Sequence, residues 1–366
     1  MEQPQRQQLI HLVSSIHWGG VEQYALDICR YYREQGWEVT AVTRDAKVID
    51  SHFRSYGIPL RHANLRGYSD LGSIWQLSRL FRTLRRDGAI VHAHRYCDAF
   101  IALVAKRLSG RPDIRIVATR HTVGAGYDTP LFRRMCAKTD ADIFVSQTAL
   151  DSFVSPWTPE RCPLPSDRIH VLHNSLNIEK SVVVPEPTRG PVTAVCHGTI
   201  VAGKGFETVI DALAQLGDLK LRLRIAGQGN PDYIDDLRRR AIARGVMERI
   251  DWVIPPGDME LLIDESHFGV QASTQREAFA LESLRYMACG RPQICVPNGA
   301  QSEYLQDGVT ALFVPPADSG RLAAAMRRLA TDPDLRKSLG DEARKTYIEK
   351  YDWPHFIASL DKIYNP

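Results

Sequence analysis

The sequence lacks what several protein classes require. Its seven cysteines are odd in number and show neither paired nor metal-like spacing, so no disulfide framework organises the chain. Cys29, Cys97, Cys136 and Cys289 fall in apolar helical patterns, the expected setting for small buried thiols. No stretch approaches the about 18 apolar residues that cross a bilayer. The apolar run behind the polar MEQPQRQQ is too short for a secretory signal. A cytoplasmic protein, soluble or peripheral on a membrane, is the expectation. No acidic or basic block stands out, which argues against wholesale disorder. A net charge of +3 is too small to argue for nucleic acid as a partner.

What is present is apolar content and alternation. With 366 residues and 44% hydrophobic content, the chain can build two cores. Residues 1–180 carry 24 Lys+Arg against 18 Asp+Glu, and the remainder 22 against 25. Nine of the twelve histidines also lie in the first half. A basic first half, with clusters at RLFRTLRR (79–86) and LFRRMCAK (131–138), suits an anionic surface or a phosphorylated acceptor.

Strand-like and helix-like patterns alternate throughout, predicting an α/β fold with mostly parallel sheets. LIHLVSS (9–15) reads as a strand, His-Trp-Gly-Gly as a turn, and the next stretch as a helix ended by Gly36. Strands follow at WEVTAVT (37–43), AIVHAH (89–94), RIVATRH (115–121), ADIFVSQ (141–147) and RIHVLHN (168–174). KSVVVPEPTRGP (180–191) has three prolines and no helical period, which suits a linker. The rhythm then restarts with PVTAVCHG (191–198) and LRLRIAG (221–227), and the tail from Asp318 is helical with a break at Trp353-Pro354. This predicts a first domain over 1–180, a linker at 181–190 and a second domain over 191–345. A last helix within 346–366 is expected to pack back on the first domain. Two such Rossmann-like halves present their strand C-termini, and hence their ligand sites, to a cleft.

Chemistry concentrates in the run from Arg276 to Pro292, REAFALESLRYMACGRP. Leu281, Leu284 and Ala288 form a helical stripe, Gly290 ends the helix and Pro292 blocks its continuation. The helix N-terminus near Ala280 to Glu282 offers backbone N–H groups to a diphosphate. Glu277 precedes it in a loop, where a carboxylate can accept from sugar hydroxyls or merely be solvated.

This run resembles the signature of retaining glycosyltransferase family 4, in which Glu-x-Phe-Gly opens a loop and a helix ending Met-Ala-x-Gly-x-Pro. The likeness extends over nearly the whole chain. It includes the opening SSIHWGGVEQYALDICRYYREQGWEVTAVT, VHAH (91–94), Thr119-Arg120-His121, Val145-Ser146 and HNSLN (173–177). In the second half it takes in GTIVAGKGFETVIDAL (198–213), IAGQGN (225–230) and EYLQDGVTALFVPPAD (303–318). The resemblance implies a GT-B fold and a nucleotide-diphosphate sugar, most expectedly a UDP-sugar, as co-substrate without a further cofactor.

Carried over to these positions, the likeness implies roles. Gly19 and Gly20 would let the chain approach donor phosphates or acceptor. His121 would face the transferred sugar. Lys204, with Gly203 beside it, would hold the diphosphate together with Gly198, Thr199 and the helix start at Phe279, Ala280, Leu281 and Glu282. Glu277 would bind hydroxyls of the sugar, and Gly227 and Gly229 would line the base or ribose. Two departures matter. Thr199 stands where the family usually has an arginine, and Arg285 where it has a ribose-binding glutamate. A guanidinium only donates, so Arg285 is expected either to pair with Glu282 or to reach a donor phosphate.

The chain reads as having no Asp-x-Asp arrangement and no His/Cys cluster with ligand spacing, which leads to the expectation of metal-independent transfer with retention. The acceptor would be a cell-surface glycan or lipid-linked, of lipopolysaccharide or exopolysaccharide type. A sugar-nucleotide epimerase or phosphorylase, or a non-catalytic subunit on the same fold, are the alternatives.

Overall fold

The computed structural model describes residues 7–86, 88–178 and 183–365. Residues 181–182 of the expected linker, and 179–180 just before it, lie outside these. The chain divides into two compact units, Met1–Asn174 with Ile357–Pro366, and Ser175–Phe356.

Unit 1 alternates strand and helix. It runs β1 (Gln8–Val13), α1 (Gly20–Glu34), β2 (Glu38–Thr43), α2 (Lys47–Ser55), β3 (Leu60–His62) and α3 (Leu71–Thr83). It continues with β4 (Ala89–Ala93), α4 (Tyr96–Ser109), β5 (Arg115–Arg120), α5 (Pro130–Cys136), β6 (Ala141–Phe144), α6 (Gln147–Val154) and β7 (Ile169–Val171). The strands form one parallel sheet in the order β3-β2-β1-β4-β5-β6-β7. The order reverses at β1, the switch point at which open α/β sheets bind ligands. Central strands are buried on both faces, so they read as apolar runs without alternation, as in Leu9, Ile10 and Leu12.

Unit 2 repeats the scheme. β8 (Val192–Ile200), α7 (Phe206–Ala214), β9 (Leu221–Gly229), α8 (Pro231–Ala243), β10 (Ile250–Val253) and α9 (Met259–Asp264) form its first half. β11 (Phe268–Gln271), α10 (Leu281–Ala288), β12 (Gln293–Cys295), α11 (Gln301–Tyr304) and β13 (Leu312–Phe313) follow. Its tail is α12 (Ser319–Thr331) and α13 (Pro333–Lys350), and α14 (Trp353–Tyr364) starts in unit 2 and belongs to unit 1 from Ile357 onward. This second sheet is also parallel, ordered β10-β9-β8-β11-β12-β13. Its core packs Phe206, Leu223, Ile225, Phe268 and Met326, all at most 1% exposed.

The described part of the proline-rich segment is tied down within unit 2. Glu186 makes a forked pair with Arg336 at 2.9–3.1 Å, and the Pro187 carbonyl lies 3.1 Å from His267 Nε2. The last ten residues belong to unit 1, where Tyr32 Oη donates to Asp361 and His92 Nδ1 meets Tyr364 Oη, both at 2.6 Å. The strand predicted over 141–147 is shorter than expected, because Ser146 accepts from Ala149 N and caps α6 from Gln147. Among the described residues, no helix is long and apolar enough to cross a membrane.

Candidate active site

In unit 2 the residues that follow three strand ends converge. Lys204 lies beyond β8, Glu277 beyond β11 and Asn298 beyond β12. Backbone bonds lace these loops together. Thr274 N donates to Gly203 O at 2.8 Å, Glu277 N to Asn298 O at 3.1 Å, and Ala300 N to Glu277 O at 3.0 Å. Gly205 makes the packing possible: its φ is +82°, and a Cβ there would overlap the Ala272 carbonyl. Gly203 shares this left-handed geometry, with Gln275 where its side chain would go.

Lys204 Nζ donates to Glu277 Oε1 at 2.8 Å and lies 4.0 Å from Glu282 Oε1. Burial works against the ammonium, but Glu282 and Glu277 outweigh it, and the Lys204 pKa is raised. Glu282 is pushed up as well, by burial first and by Glu277, against the opposing pull of Lys204. Gly198 leaves room for Glu282, since a Cβ at Gly198 would stand 2.6 Å from the carboxylate. Thr199 is exposed on β8 beside this group.

Helix α10 starts where expected, with Ala280 as N-cap and no side-chain cap hydrogen bond, so its first-turn N–H groups are suited to an anion. Phe279 is buried against Tyr304 with ring centroids 4.5 Å apart, and Tyr304 Oη accepts from Ala280 N at 3.4 Å. Phe279 and Ala280 therefore shape the loop from below, while Leu281 and Glu282 are only half-buried at its surface.

Three readings need revision or addition. Arg285 is bound to Glu260 in the first turn of α9, a partner the sequence did not suggest, and Glu282 sits beside Lys204. Gly227 and Gly229 have a structural reason of their own, because they pair in register with Gly198 and Ile200. A Cβ at either would overlap a β8 carbonyl oxygen, so these glycines serve strand approach. Finally, the expected absence of Asp-x-Asp is wrong, because Asp140-Ala-Asp142 and Asp332-Pro-Asp334 both have that spacing. Asp140 binds Ile116 N and Lys106, and Asp142 is buried against Thr139 and Tyr96. Asp332 caps α13, with Asp334 in its first turn. Both triplets serve the fold.

In unit 1, Gly19 caps α1 and Gly20 is its first residue, just beyond β1. His121 follows β5 and is half-buried. It ends a line of imidazoles. His11 Nδ1 lies 2.9 Å from His94 Nε2, and His94 Nδ1 lies 3.2 Å from His121 Nε2. His92, in register with His11, spends its two nitrogens on Tyr364 Oη and Thr119 Oγ1, both at 2.6 Å. The nitrogens of His11, His92 and His94 lie within 4.8 Å of one another, close enough to suggest a metal triad. The existing bonds use both His92 nitrogens and the facing His11 and His94 nitrogens, so the group is built as a hydrogen-bond relay. Burial lowers the His11 and His121 pKa values to about 3, and holds His92 and His94 well below the ordinary value.

One orphan fixes the direction of this relay. His11 Nε2 is buried and has no partner among the described residues. An orphaned buried N–H is rarer in native interiors than an under-satisfied acceptor, which favours His11 carrying its proton on Nδ1 and donating to His94 Nε2. His94 must then donate from Nδ1 to His121 Nε2. His121 is left as a neutral imidazole with its N–H on Nδ1. The signal for this relay was present in VHAH, because alternate strand residues share a face and put His92 and His94 together.

Two Rossmann-like units, each gathering glycine loops and polar side chains at its strand C-termini, define the GT-B class of glycosyltransferases. A search of solved structures agrees on the fold. The Anabaena protein Alr3699/HepE, solved in complex with UDP and glucose, superposes with a TM-score of 0.82 over 98% of this chain and 99% of that one, at 16% identity. Residues 18–180 match the family model Glycosyltransferase Family 4, and residues 178–346 match Glycosyl transferases group 1. The chain belongs to the GT4-type GT-B glycosyltransferases and is a glycosyltransferase enzyme. Alpha-D-kanosaminyltransferase of Streptomyces kanamyceticus is 25% identical over 85% of this chain and 88% of that protein. GDP-mannose:cellobiosyl-diphosphopolyprenol alpha-mannosyltransferase of Xanthomonas oryzae pv. oryzae is 25% identical over 95% and 94%.

Proposed function

We propose that the protein transfers a sugar, with retention, from a UDP-sugar to a lipid-linked or cell-surface glycan acceptor at the cytoplasmic face of a membrane. The observation that carries this reading is the Lys204 cluster. A lone ammonium between two carboxylates stands with the start of α10 at the strand ends of unit 2. Lys204 and the helix N–H groups would hold the diphosphate, and Glu277, released from Lys204, would accept from sugar hydroxyls. Charge stabilisation by these groups supports a reaction without a divalent metal.

In the proposed step the acceptor oxygen bonds to the anomeric carbon as the bond from that carbon to the phosphate oxygen breaks. The hydroxyl proton passes to the departing phosphate, so no protein base is needed and a nucleoside diphosphate leaves. His121, with its N–H on Nδ1, would donate to the sugar. UDP and glucose in the Anabaena neighbour support the donor class, and the diphosphopolyprenol in the name of the Xanthomonas relative supports a lipid-linked acceptor. Incubation with UDP-sugars and a diphosphopolyprenol acceptor, with and without EDTA, tests the reading. An α-linked product from an α-linked donor, formed equally in EDTA, is expected. An inverted product, or activity restored only by magnesium or manganese, contradicts it.

A further inference from the structure

A second binding feature lies within unit 1, at the opposite strand ends from His121. Unit 1 holds a groove of about 620 Å³ between α4, from Phe100 onward, and α5, closed by the Gly110–Pro112 turn and by Arg168. These boundaries lie at the N-terminal ends of β5 and β7. His121 follows the other end of β5, five residue steps or about 17 Å away along the strand.

The lining has two chemistries. Phe100, Leu103, Leu131 and Met135 give an apolar wall. Six of the fourteen lining residues are cationic and none is acidic. Three of the six have structural partners: Lys106 binds Asp140 at 3.3 Å, Arg111 binds Asp113 at 2.6 Å, and Arg168 donates to Thr139 O at 2.9 Å. The other three, Arg107, Arg134 and Lys138, stand exposed on the rim. Beside them Leu131 is 61% and Leu108 55% exposed, an unfavourable display in water.

An apolar wall under a rim of cations matches an amphiphile with an anionic head. Nucleic acid would meet the cations but leave the apolar wall unused, and an acidic peptide would leave the exposed leucines wet. We propose that this groove docks an anionic phospholipid of a bilayer surface. The phosphate sits among Arg107, Arg134 and Lys138, and the first methylenes lie against Leu103, Leu131 and Met135. This deepens the membrane-side reading given above. It places the contact at the opposite strand ends of the unit 1 sheet from His121, so docking leaves that end of β5 uncovered.

The test is co-sedimentation of the full chain, without donor, on phosphatidylcholine vesicles with and without phosphatidylglycerol. Binding should require phosphatidylglycerol. Arg134→Glu with Lys138→Glu should lower partitioning by about tenfold or more, since each cation near such a surface contributes about 1 kcal/mol. Leu131→Asn, which changes no charge, should lower it about three- to tenfold. Arg321→Glu with Arg328→Glu, a charge-matched pair exposed on α12 in unit 2, should change it less than about threefold. Melting curves verify folding, and turnover on a water-soluble acceptor should be unchanged in the groove variants. Equal loss in the control pair reduces the effect to diffuse attraction and overturns the proposal. So does full binding by the groove variants, binding to plain phosphatidylcholine, or binding to polyglutamate but not to vesicles. Because vesicle binding is read without donor, its failure leaves the transferase reading standing, and absent turnover with intact vesicle binding does the reverse.

Discussion

The decisive residue is Lys204, and its two neighbours make the site self-competing. One cation serves two carboxylates, so an arriving diphosphate must displace Glu277 from Lys204 and tolerate Glu282 nearby. Removing the Glu282 charge should therefore help the phosphate. Glu282→Gln is expected to bind UDP about three- to tenfold more tightly by calorimetry, the scale of one partly screened charge. In the unaltered protein, UDP affinity should rise as pH falls through the raised Glu282 pKa, and the variant should lose that rise. Weaker binding by the variant would show that Glu282 accepts from the nucleotide. The imidazole relay makes a second residue-level claim. Nitrogen-15 shifts should report His121 protonated on Nδ1, and His94→Phe should release it to a mixture of tautomers, while His94→Gln, which can both accept and donate, preserves it. A His121 found protonated on Nε2 in the unaltered protein contradicts the direction derived from the His11 orphan. VHAH pointed to a histidine cluster, but not to the partners of its members. His11, His94 and His121 are brought together only by strand register, and the Arg285 partner, Glu260, lies on a different helix.

At the scale of elements, the sequence showed more. Alternating apolar runs and amphipathic stripes marked β1, α1, β2, β8, β9 and α10 to within a few residues, because parallel strands buried on both faces leave an unmistakable apolar signature. What it could not show was why each glycine is there. Gly227 and Gly229 were expected to line the base or ribose, and each is in addition required by a β8 carbonyl next to it. Gly205 combines both demands, with positive φ and the Ala272 carbonyl at its Cβ position. Gly205→Ala should therefore cost at least about 1–2 kcal/mol from the left-handed backbone alone, more from the overlap, and shift the loop carrying Lys204. The expected outcome is a lower melting temperature together with lost UDP binding. An alanine variant with an unchanged melting temperature would show that the loop has another conformation available at little cost.

At the scale of the whole molecule, the buried titratable groups set a pH dependence. Seven imidazoles, His11, His92, His94, His121, His170, His197 and His267, are lowered mainly by burial. Their contribution is fully present above about pH 6.5 and is lost as pH falls, because only the unfolded chain takes up the protons. Glu22, Asp98, Asp142 and Glu282 act in the opposite sense, raised by burial, with Asp98 and Asp142 at about 6. Their contribution is present below about pH 4 and is lost as pH rises through 6. Seven groups outnumber four, and each unmatched proton is worth about 1.4 kcal/mol per pH unit. The melting temperature should fall between pH 7 and pH 5; a rise over that interval would mean the carboxyls dominate.

The central claim is that the strand ends of unit 2 hold a nucleotide diphosphate through Lys204. Calorimetric binding of UDP and of uridine to the unaltered protein and to Lys204→Ala tests it most directly. A charge-assisted phosphate contact is worth about 1.5–3 kcal/mol, so the variant should lose roughly ten- to a hundredfold in affinity for UDP and almost none for uridine. UDP binding that survives Lys204→Ala unchanged would contradict the account.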